Sequence, residues 1–168
     1  MHSLYRALAL AALLTGASSS GLASSTLDAS AATWSGRTLS QPGNVSFVWE
    51  GVQATFTVSG TTTVTLLASS SCPGCGLFHT LVDGALHSNW TLCRQAAPVN
   101  ITIAAGLSAA QAHTVTLWSA TDPIAVSWDK LPGWSHSFHA LAADGQVSGG
   151  VPKPTRRLQI IGDSITGA

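Results

Sequence analysis

The sequence predicts a mostly β fold: an antiparallel β-sandwich of the jelly-roll type, followed by the first strand and turn of an α/β domain. Between residues 33 and 148, short runs of β-branched and aromatic residues alternate with turn residues, and no amphipathic helical pattern interrupts them. Many short strands at close spacing are typical of antiparallel sandwiches. A region of about 120 residues is long enough to enclose one hydrophobic core.

The individual strands are predicted from the apolar runs and the turns between them. The runs lie at 45–49, 54–58, 62–67, 77–82, 85–92, 99–103, 114–118, 137–141 and 146–147. Gly51 and Ser59-Gly60 separate the first three runs and predict hairpin turns. Asp83-Gly84 is the strongest hairpin signal, because both positions tolerate positive φ.

Residues 1–23 have the pattern of a secretory signal peptide. A basic residue, Arg6, precedes a short apolar run at 7–14, and small residues follow it. The run is much shorter than the roughly 20 residues that a membrane span requires. Cleavage after Ala23 fits the small-residue rule, although positions up to Ala32 are also compatible. We therefore expect an extracellular protein with a Ser/Ala-rich leader at 24–32.

Composition and charge agree with secretion. Only 8% of residues are charged and the net charge is zero. Nothing in this balance suggests electrostatic binding to nucleic acid or to an anionic membrane, so neither is expected as a partner after signal cleavage. Asn44, Asn89 and Asn100 begin N-glycosylation sequons, which would carry surface glycans in a eukaryotic host.

Three cysteines, Cys72, Cys75 and Cys93, are present. In an oxidising compartment two of them should pair, and Cys93 with either Cys72 or Cys75 would stabilise the fold by about 3 kcal/mol. The sequence leaves the choice open. The Cys72–Cys75 spacing with His79 and His87 nearby is weak evidence for a metal site, so we expect no metal ion and no cofactor.

A second domain is predicted to begin after a linker at 149–155. Two glycines and two prolines there disfavour both helix and central strand. Within 156–168, an apolar run at 158–161 ends at Gly162-Asp163-Ser164, a pattern that predicts a strand-to-helix corner. Such a corner would expose the Ser164 hydroxyl beside backbone N–H groups that can stabilise an oxyanion.

The order of these segments resembles carbohydrate esterase family 2, whose members join a jelly-roll module to a hydrolase domain of the SGNH (GDSL-like) type. The matching segments are Trp34-Ser35-Gly36-Arg37, Val82-Asp83-Gly84, His113-Thr114-Val115-Thr116-Leu117-Trp118, Lys153-Pro154 and Ile160-Ile161-Gly162-Asp163-Ser164-Ile165-Thr166. The likeness covers nearly all of the mature chain, but only the first strand and turn of the hydrolase domain.

The resemblance implies a Ser nucleophile. Ser164 matches the family's nucleophile and one backbone oxyanion donor, while Asp163 and Gly162 match structural positions of the motif. The family's other oxyanion donors and its catalytic His have no counterpart in these 168 residues. A serine without its base loses several orders of magnitude in rate. We therefore expect the N-terminal part of a secreted acetyl-polysaccharide esterase, inactive without a C-terminal hydrolase domain.

The alternative is a non-catalytic module that binds glycans or supports a partner domain. Exposed tryptophans stack on sugar rings, so a polysaccharide or an acetylated glycan is the expected ligand. Trp49, Trp90 and Trp118 fall within strand patterns and are predicted to be core residues. Trp128 and Trp134 flank a turn-rich loop and are the candidate substrate-binding residues.

Overall fold

The computed structural model of the protein describes residues 24–120 and 134–153, and these residues are almost entirely β-structure. The strands are β1 (Ser25–Asp28), β2 (Thr33–Ser35), β3 (Leu39–Gln41), β4 (Asn44–Phe47), β5 (Gln53–Ser59), β6 (Thr63–Ser70), β7 (Gly76–Val82), β8 (Ala85–Leu92), β9 (Gln95–Ala105), β10 (Ala112–Ser119), β11 (His136–Ala143) and β12 (Gln146–Ser148). A 3₁₀ turn at Ala29–Ala31 follows β1. No helix in the described ranges is long and apolar enough to cross a membrane.

The described strands form two six-stranded sheets, and every pairing is antiparallel. Sheet A has the order β3-β4-β11-β6-β9, with β1 also paired to β11. Sheet B has the order β12-β5-β10-β7-β8, with β2 also paired to β5. Strands β4 to β11 thus give the orders 4-11-6-9 and 5-10-7-8 of a jelly roll, which confirms the predicted sandwich.

The core lies between the sheets because the strands alternate apolar and polar side chains. In β5, Ala54, Phe56 and Val58 are buried, and the intervening residues are less so. Strand β6 repeats the pattern on the opposite sheet. A period of two places every second side chain on one face, so each strand contributes one buried row.

Aromatic rings from both sheets meet in the middle of the sandwich. We call Trp34, Phe47, Phe78, Trp90 and Phe138 the inter-sheet aromatic cluster. Phe47 and Phe138 of sheet A lie 5.0 Å apart between centroids, and Phe47 lies 6.2 Å from Phe78 of sheet B. Phe78 in turn stacks on Trp90 at 4.4 Å. Each such pair contributes about 0.5 to 1.5 kcal/mol beyond its buried area.

The hairpin predicted at Asp83-Gly84 is confirmed. β7 and β8 pair across this turn, and both residues have positive φ, +51° and +82°. The Asp83 carboxylate accepts hydrogen bonds from His113 Nδ1 (2.7 Å) and from the Thr114 N–H (2.8 Å), which lowers the pKa of Asp83. The turn is therefore tied to β10.

The hairpins predicted at Gly51 and at Ser59-Gly60 are wrong. β4 and β6 belong to sheet A, whereas β5 belongs to sheet B, so both turns carry the chain from one sheet to the other. Turn residues show that the chain reverses, but the pairing partner depends on which apolar faces pack together.

The sandwich begins earlier than the boundary predicted at residue 33. β1 lies within the segment interpreted as a leader, and it pairs with β11 so that Leu27 faces Leu141. Ala29 is buried, and its carbonyl accepts a hydrogen bond from Trp34 Nε1 at 2.8 Å. β1 is only four residues long and ends in Asp, which is depleted in strands, so its sequence gives little indication of this strand.

The chain leaves the sandwich beside β2. The Thr33 hydroxyl donates to the Val151 carbonyl at 2.7 Å. Gly149 packs so closely on Ala31 that a Cβ at this position would overlap the Ala31 carbonyl. The first residues of the predicted linker are thus fixed against β2. The predicted second domain at 156–168, the last two linker residues and the predicted signal peptide at 1–23 lie outside the described residues.

A disulfide joins Cys75 and Cys93, one of the two pairings that the sequence left open. Cys75 immediately precedes β7 and Cys93 immediately follows β8, so the bond closes the open end of the hairpin. Cys72 is buried and lies outside this disulfide.

A Cys93→Ser variant should be less stable by about 3 kcal/mol, because the disulfide restricts the unfolded chain across a loop of this length. Thermal unfolding with and without reductant measures this. Reductant should lower the Tm of the wild type toward that of the variant and leave the variant unchanged. A Cys72→Ala protein should keep the reductant response; its loss would show that Cys72 is the paired residue.

The turn between β11 and β12 is held by the carboxylate of Asp144. It accepts hydrogen bonds from the Thr61 and Thr62 hydroxyls and from the N–H groups of Thr62 (2.9 Å) and Thr63 (3.0 Å). These hydrogen bonds, chiefly the one from the Thr61 hydroxyl, hold the pKa of Asp144 far below its usual value of 3.8. The carboxylate therefore links the end of β11 to the start of β6.

Replacing Asp144 with Asn should lower the Tm at pH 7, because an amide cannot accept all of these hydrogen bonds. The native pKa lies below the unfolded value of 3.8, so the carboxylate stabilises the fold fully well above pH 4. That stabilisation is lost as the pH falls through the native pKa. Unfolding from pH 7 to pH 2 should show the Tm gap between the two proteins narrowing; a constant gap contradicts this assignment.

Candidate functional site

An open groove of about 480 Å³ lies at one end of sheet A. Three segments line it: the connection from β2 into β3, the residues that end and follow β4, and the residues just before β11. The side chains that define it are Arg37, Leu39, Gln41, Ser46, Trp49 and Trp134. Its volume lies in the usual range for small-ligand sites.

The register of β4 and β11 explains why two tryptophans line the same groove. Phe47, the last residue of β4, pairs with His136, the first residue of β11. Trp49 follows Phe47 by two residues, and Trp134 precedes His136 by two. The two tryptophans therefore lie equally far along the chain from this last pair, and both line the groove. The aromatic cluster anchors both segments, since Phe47 belongs to it and the His136 ring lies 5.9 Å from Phe47.

The Trp49 ring is oriented by a cation. The Arg37 guanidinium carbon lies 5.4 Å from the centroid of the Trp49 ring, within the range of a cation–π contact. A smaller pocket of about 340 Å³ shares these two residues and adds Glu50. Arg37 and Trp49 therefore lie at the junction of two adjoining recesses.

The chemistry of the groove suits binding rather than catalysis. It combines aromatic rings with neutral polar groups, Gln41 and Ser46, and with Leu39, which is 60% exposed. The described lining contains no His, Cys, Asp or Glu, so it offers no general base to activate a nucleophile. Aromatic faces beside neutral hydrogen-bonding groups match the two-sided surface of a sugar ring.

Of the residues predicted for the site, Trp134 lines the groove. Trp128, Gly162, Asp163 and Ser164 lie outside the described residues. The sequon residues Asn44, Asn89 and Asn100 lie on β4, β8 and β9 respectively, and the last two are exposed.

The tryptophans predicted to be core residues have three different environments. Trp90 stacks on Phe78 and donates from Nε1 to Thr80 Oγ1 at 3.0 Å, as a core residue should. Trp49 lies beyond the end of β4 and lines the groove. Trp118 is 40% exposed, so its assignment to the core is wrong. The alternation in β10, with Val115 and Leu117 buried, was the signal that places Trp118 outward.

The five described histidines all make contacts within the sandwich. His79 contacts Asn89 (2.5 Å), His87 contacts the Ala105 carbonyl (3.1 Å), His113 contacts Asp83, and His139 contacts Ser69 (2.9 Å). His136 is buried beside Phe47 and Phe78. Across residues 24–120 and 134–153, no cluster of three or more His, Cys, Asp or Glu side chains could hold a metal ion.

Comparison with solved structures supports the fold. The family two carbohydrate esterase from Cellvibrio japonicus superposes with a TM-score of 0.61 at 17% identity, covering 80% of this chain and 37% of that one. The family two carbohydrate esterase from Clostridium thermocellum, in complex with cellohexaose, has a TM-score of 0.58 at 21% sequence identity, and the match covers 75% of this chain and 35% of that one. The carbohydrate-binding module CBM36, in complex with calcium and xylotriose, has a TM-score of 0.52 at 14% sequence identity, and the match covers 74% of this chain and 99% of that one.

This chain thus spans little more than a third of the length of the esterases that it resembles. No curated protein is significantly similar to it in sequence. Residues 34–127 match the family described as carbohydrate esterase 2 N-terminal, which confirms the resemblance seen in the sequence. Because this match covers more than half of the chain, the protein belongs to the carbohydrate esterase 2 N-terminal family.

Proposed function

We propose that the protein is the N-terminal part of a secreted acetyl-polysaccharide esterase, and that its sandwich binds the polysaccharide in the groove between Trp49 and Trp134. The observation that carries the proposal is that both tryptophans line one open groove in a module of this family. Two rings in one groove can stack on one sugar or on two successive sugars.

The ligands of similar structures support a polysaccharide as the binding partner. The Clostridium thermocellum esterase was solved with cellohexaose and the CBM36 module with xylotriose. Both ligands are neutral chains of several sugars. The groove has the same neutral character, apart from Arg37, whose guanidinium lies over the Trp49 ring.

The groove is close to the point where the chain leaves the sandwich. Val151 is hydrogen-bonded to Thr33, and Arg37 of the groove follows Thr33 by four residues. Four peptide units span at most about 15 Å. A domain that follows the linker therefore starts near the groove. This proximity favours transfer of a bound polysaccharide from the groove to that domain.

The catalytic step is assigned to Ser164. Its Oγ would attack the acetyl carbonyl, and a base contributed by a later part of the hydrolase domain would take the hydroxyl proton. The backbone N–H of Ser164 would stabilise the oxyanion, and Gly162 and Asp163 would form the corner that exposes it. The sugar hydroxyl then leaves with a proton, and water releases acetate from the acyl-enzyme. Residues 1–23 would direct the chain to the secretory pathway.

A Trp134→Ala variant should bind soluble oligosaccharides such as cellohexaose about fivefold more weakly, because it loses one stacking surface worth about 1 kcal/mol. Isothermal titration calorimetry measures this. Trp134→Phe keeps an aromatic face and should retain most of the affinity. If the wild type and Trp134→Ala bind cellohexaose with equal affinity, the groove is not the binding site.

We expect residues 1–168 alone to hydrolyse 4-nitrophenyl acetate no faster than buffer, because the proposal assigns the base to a later part of the hydrolase domain. In a protein that includes the whole hydrolase domain, Ser164→Ala should reduce kcat by at least about 10³-fold. Ser69→Ala is the matched control, since Ser69 is the serine that contacts His139. It should leave the rate unchanged. Hydrolysis by the 168-residue chain that Ser164→Ala abolishes would refute the assignment of the base.

A further inference from the structure

Sheet B has an unusual outer face. None of the residues in its six strands is Asp, Glu, Lys or Arg. Its outward positions on β2, β5, β10 and β12 carry mainly hydroxyl and amide side chains, whereas Leu77 and Leu81 of β7 and Leu86 of β8 are apolar. Soluble proteins usually place charged residues on an exposed sheet face. The strands of sheet A are almost as poor in charge, with Asp28 as their one charged residue, so a further feature must distinguish the sheet B face.

One large aromatic side chain stands on this face. Trp118 of β10 is 40% exposed, although tryptophan is highly buried on average. The register places it in a row across four strands with Gln53 of β5, His79 of β7 and Asn89 of β8. The ring is thus flanked on both sides by neutral polar groups.

The Trp118 ring has a defined neighbour on one side. The His79 ring meets it edge to face, with centroids 5.8 Å apart and an interplanar angle of 71°. His79 is itself fixed, because its Nδ1 donates to Asn89 Oδ1 at 2.5 Å. The indole is therefore restrained before any ligand binds, which reduces the entropy lost on binding.

Hydroxyl groups continue the surface beyond this row. Thr116 and Thr55 are paired across β10 and β5, with their hydroxyl oxygens 3.2 Å apart. In the next outward row, the Thr57 hydroxyl lies 2.7 Å from that of Ser148 on β12. These groups form a ladder of donors and acceptors that leads away from Trp118.

We propose that the outer face of sheet B, centred on Trp118, is a second glycan-binding surface that takes a neutral polysaccharide lying flat across the strands. The inference rests on the carbohydrate-directed function proposed above, but not on the groove. The apolar face of a sugar stacks on the indole, and its hydroxyls meet Thr55, Thr116 and Asn89. The absence of charge favours a neutral ligand, because the strands of this sheet contain no Lys or Arg that could pair with a polyanion.

This surface is separate from the groove. Trp118 lies on β10 of sheet B, whereas the groove is built around the end of β4 and the start of β11 in sheet A. Two surfaces on one module would hold a polysaccharide at two points and raise the overall affinity through avidity.

The test is a pull-down of the full chain with insoluble neutral polysaccharides, microcrystalline cellulose and insoluble xylan. The protein is made in a host without N-glycosylation, so that no glycan on Asn89 covers the face. Trp118→Ala should reduce the bound fraction at low protein concentration about tenfold. Leu86→Ala is the matched control, because Leu86 is an exposed apolar residue of the same sheet, 61% exposed on β8. It should bind like the wild type.

Three outcomes would overturn the proposal. Unchanged retention of a folded Trp118→Ala protein would show that the face does not bind. An equal loss in Leu86→Ala would show nonspecific apolar adsorption. Retention that disappears in 1 M NaCl would show that charge, rather than stacking, drives binding.

A Trp134→Ala protein separates the two proposals. If it keeps its affinity for soluble cellohexaose while Trp118→Ala loses retention on the insoluble polymer, the groove fails as a site and the sheet B surface stands. If Trp134→Ala alone loses retention on the polymer, the groove is the binding site and the sheet B proposal fails.

Discussion

The packing of aromatic rings between the two sheets is the interaction on which the rest of the structure depends. Phe47 and Phe138 of one sheet meet Phe78 and Trp90 of the other, so loss of this contact would separate the layers. The strands that carry Phe47 and Phe138 also lead directly into the groove. The same few rings therefore determine both the packing of the core and the position of the groove. A substitution in the core should change the shape of the groove.

The two candidate surfaces differ in how the fold forms them. The groove is lined by residues that follow β4, precede β11 and connect β2 to β3, so its shape depends in part on chain segments outside regular structure. The surface around Trp118 is part of a hydrogen-bonded sheet, in which each side chain is positioned by cross-strand neighbours such as His79. A concave site of the first kind suits a single soluble chain, whereas a flat one suits an extended or packed polymer.

Local features of this fold were predictable and long-range ones were not. The Asp83-Gly84 hairpin follows from backbone preferences of two adjacent residues, and the buried rows of β5 and β6 follow from alternation. The turns at Gly51 and Gly60 do not form the predicted hairpins, because the residues of a turn do not determine which sheet the next strand joins. Of the groove residues, only Trp134 was a candidate from the sequence. Trp49 joins it because β4 pairs with β11, which is separated from it by most of the domain, and Arg37 joins it from the connection between β2 and β3.

The hydrogen bond between Thr33 and Val151 has a kinetic consequence for a domain attached downstream. With Val151 fixed to the sandwich, Ser164 follows this point by thirteen positions in the chain. A chain of that length reaches at most about 45 Å, whatever conformation it adopts. If the sandwich binds a polysaccharide and Ser164 is the nucleophile, as proposed above, this tether would present the polysaccharide to Ser164 at an effective concentration on the order of millimolar. Under that proposal, sliding of the bound chain rather than repeated encounters from solution would limit hydrolysis of a sparsely acetylated polymer.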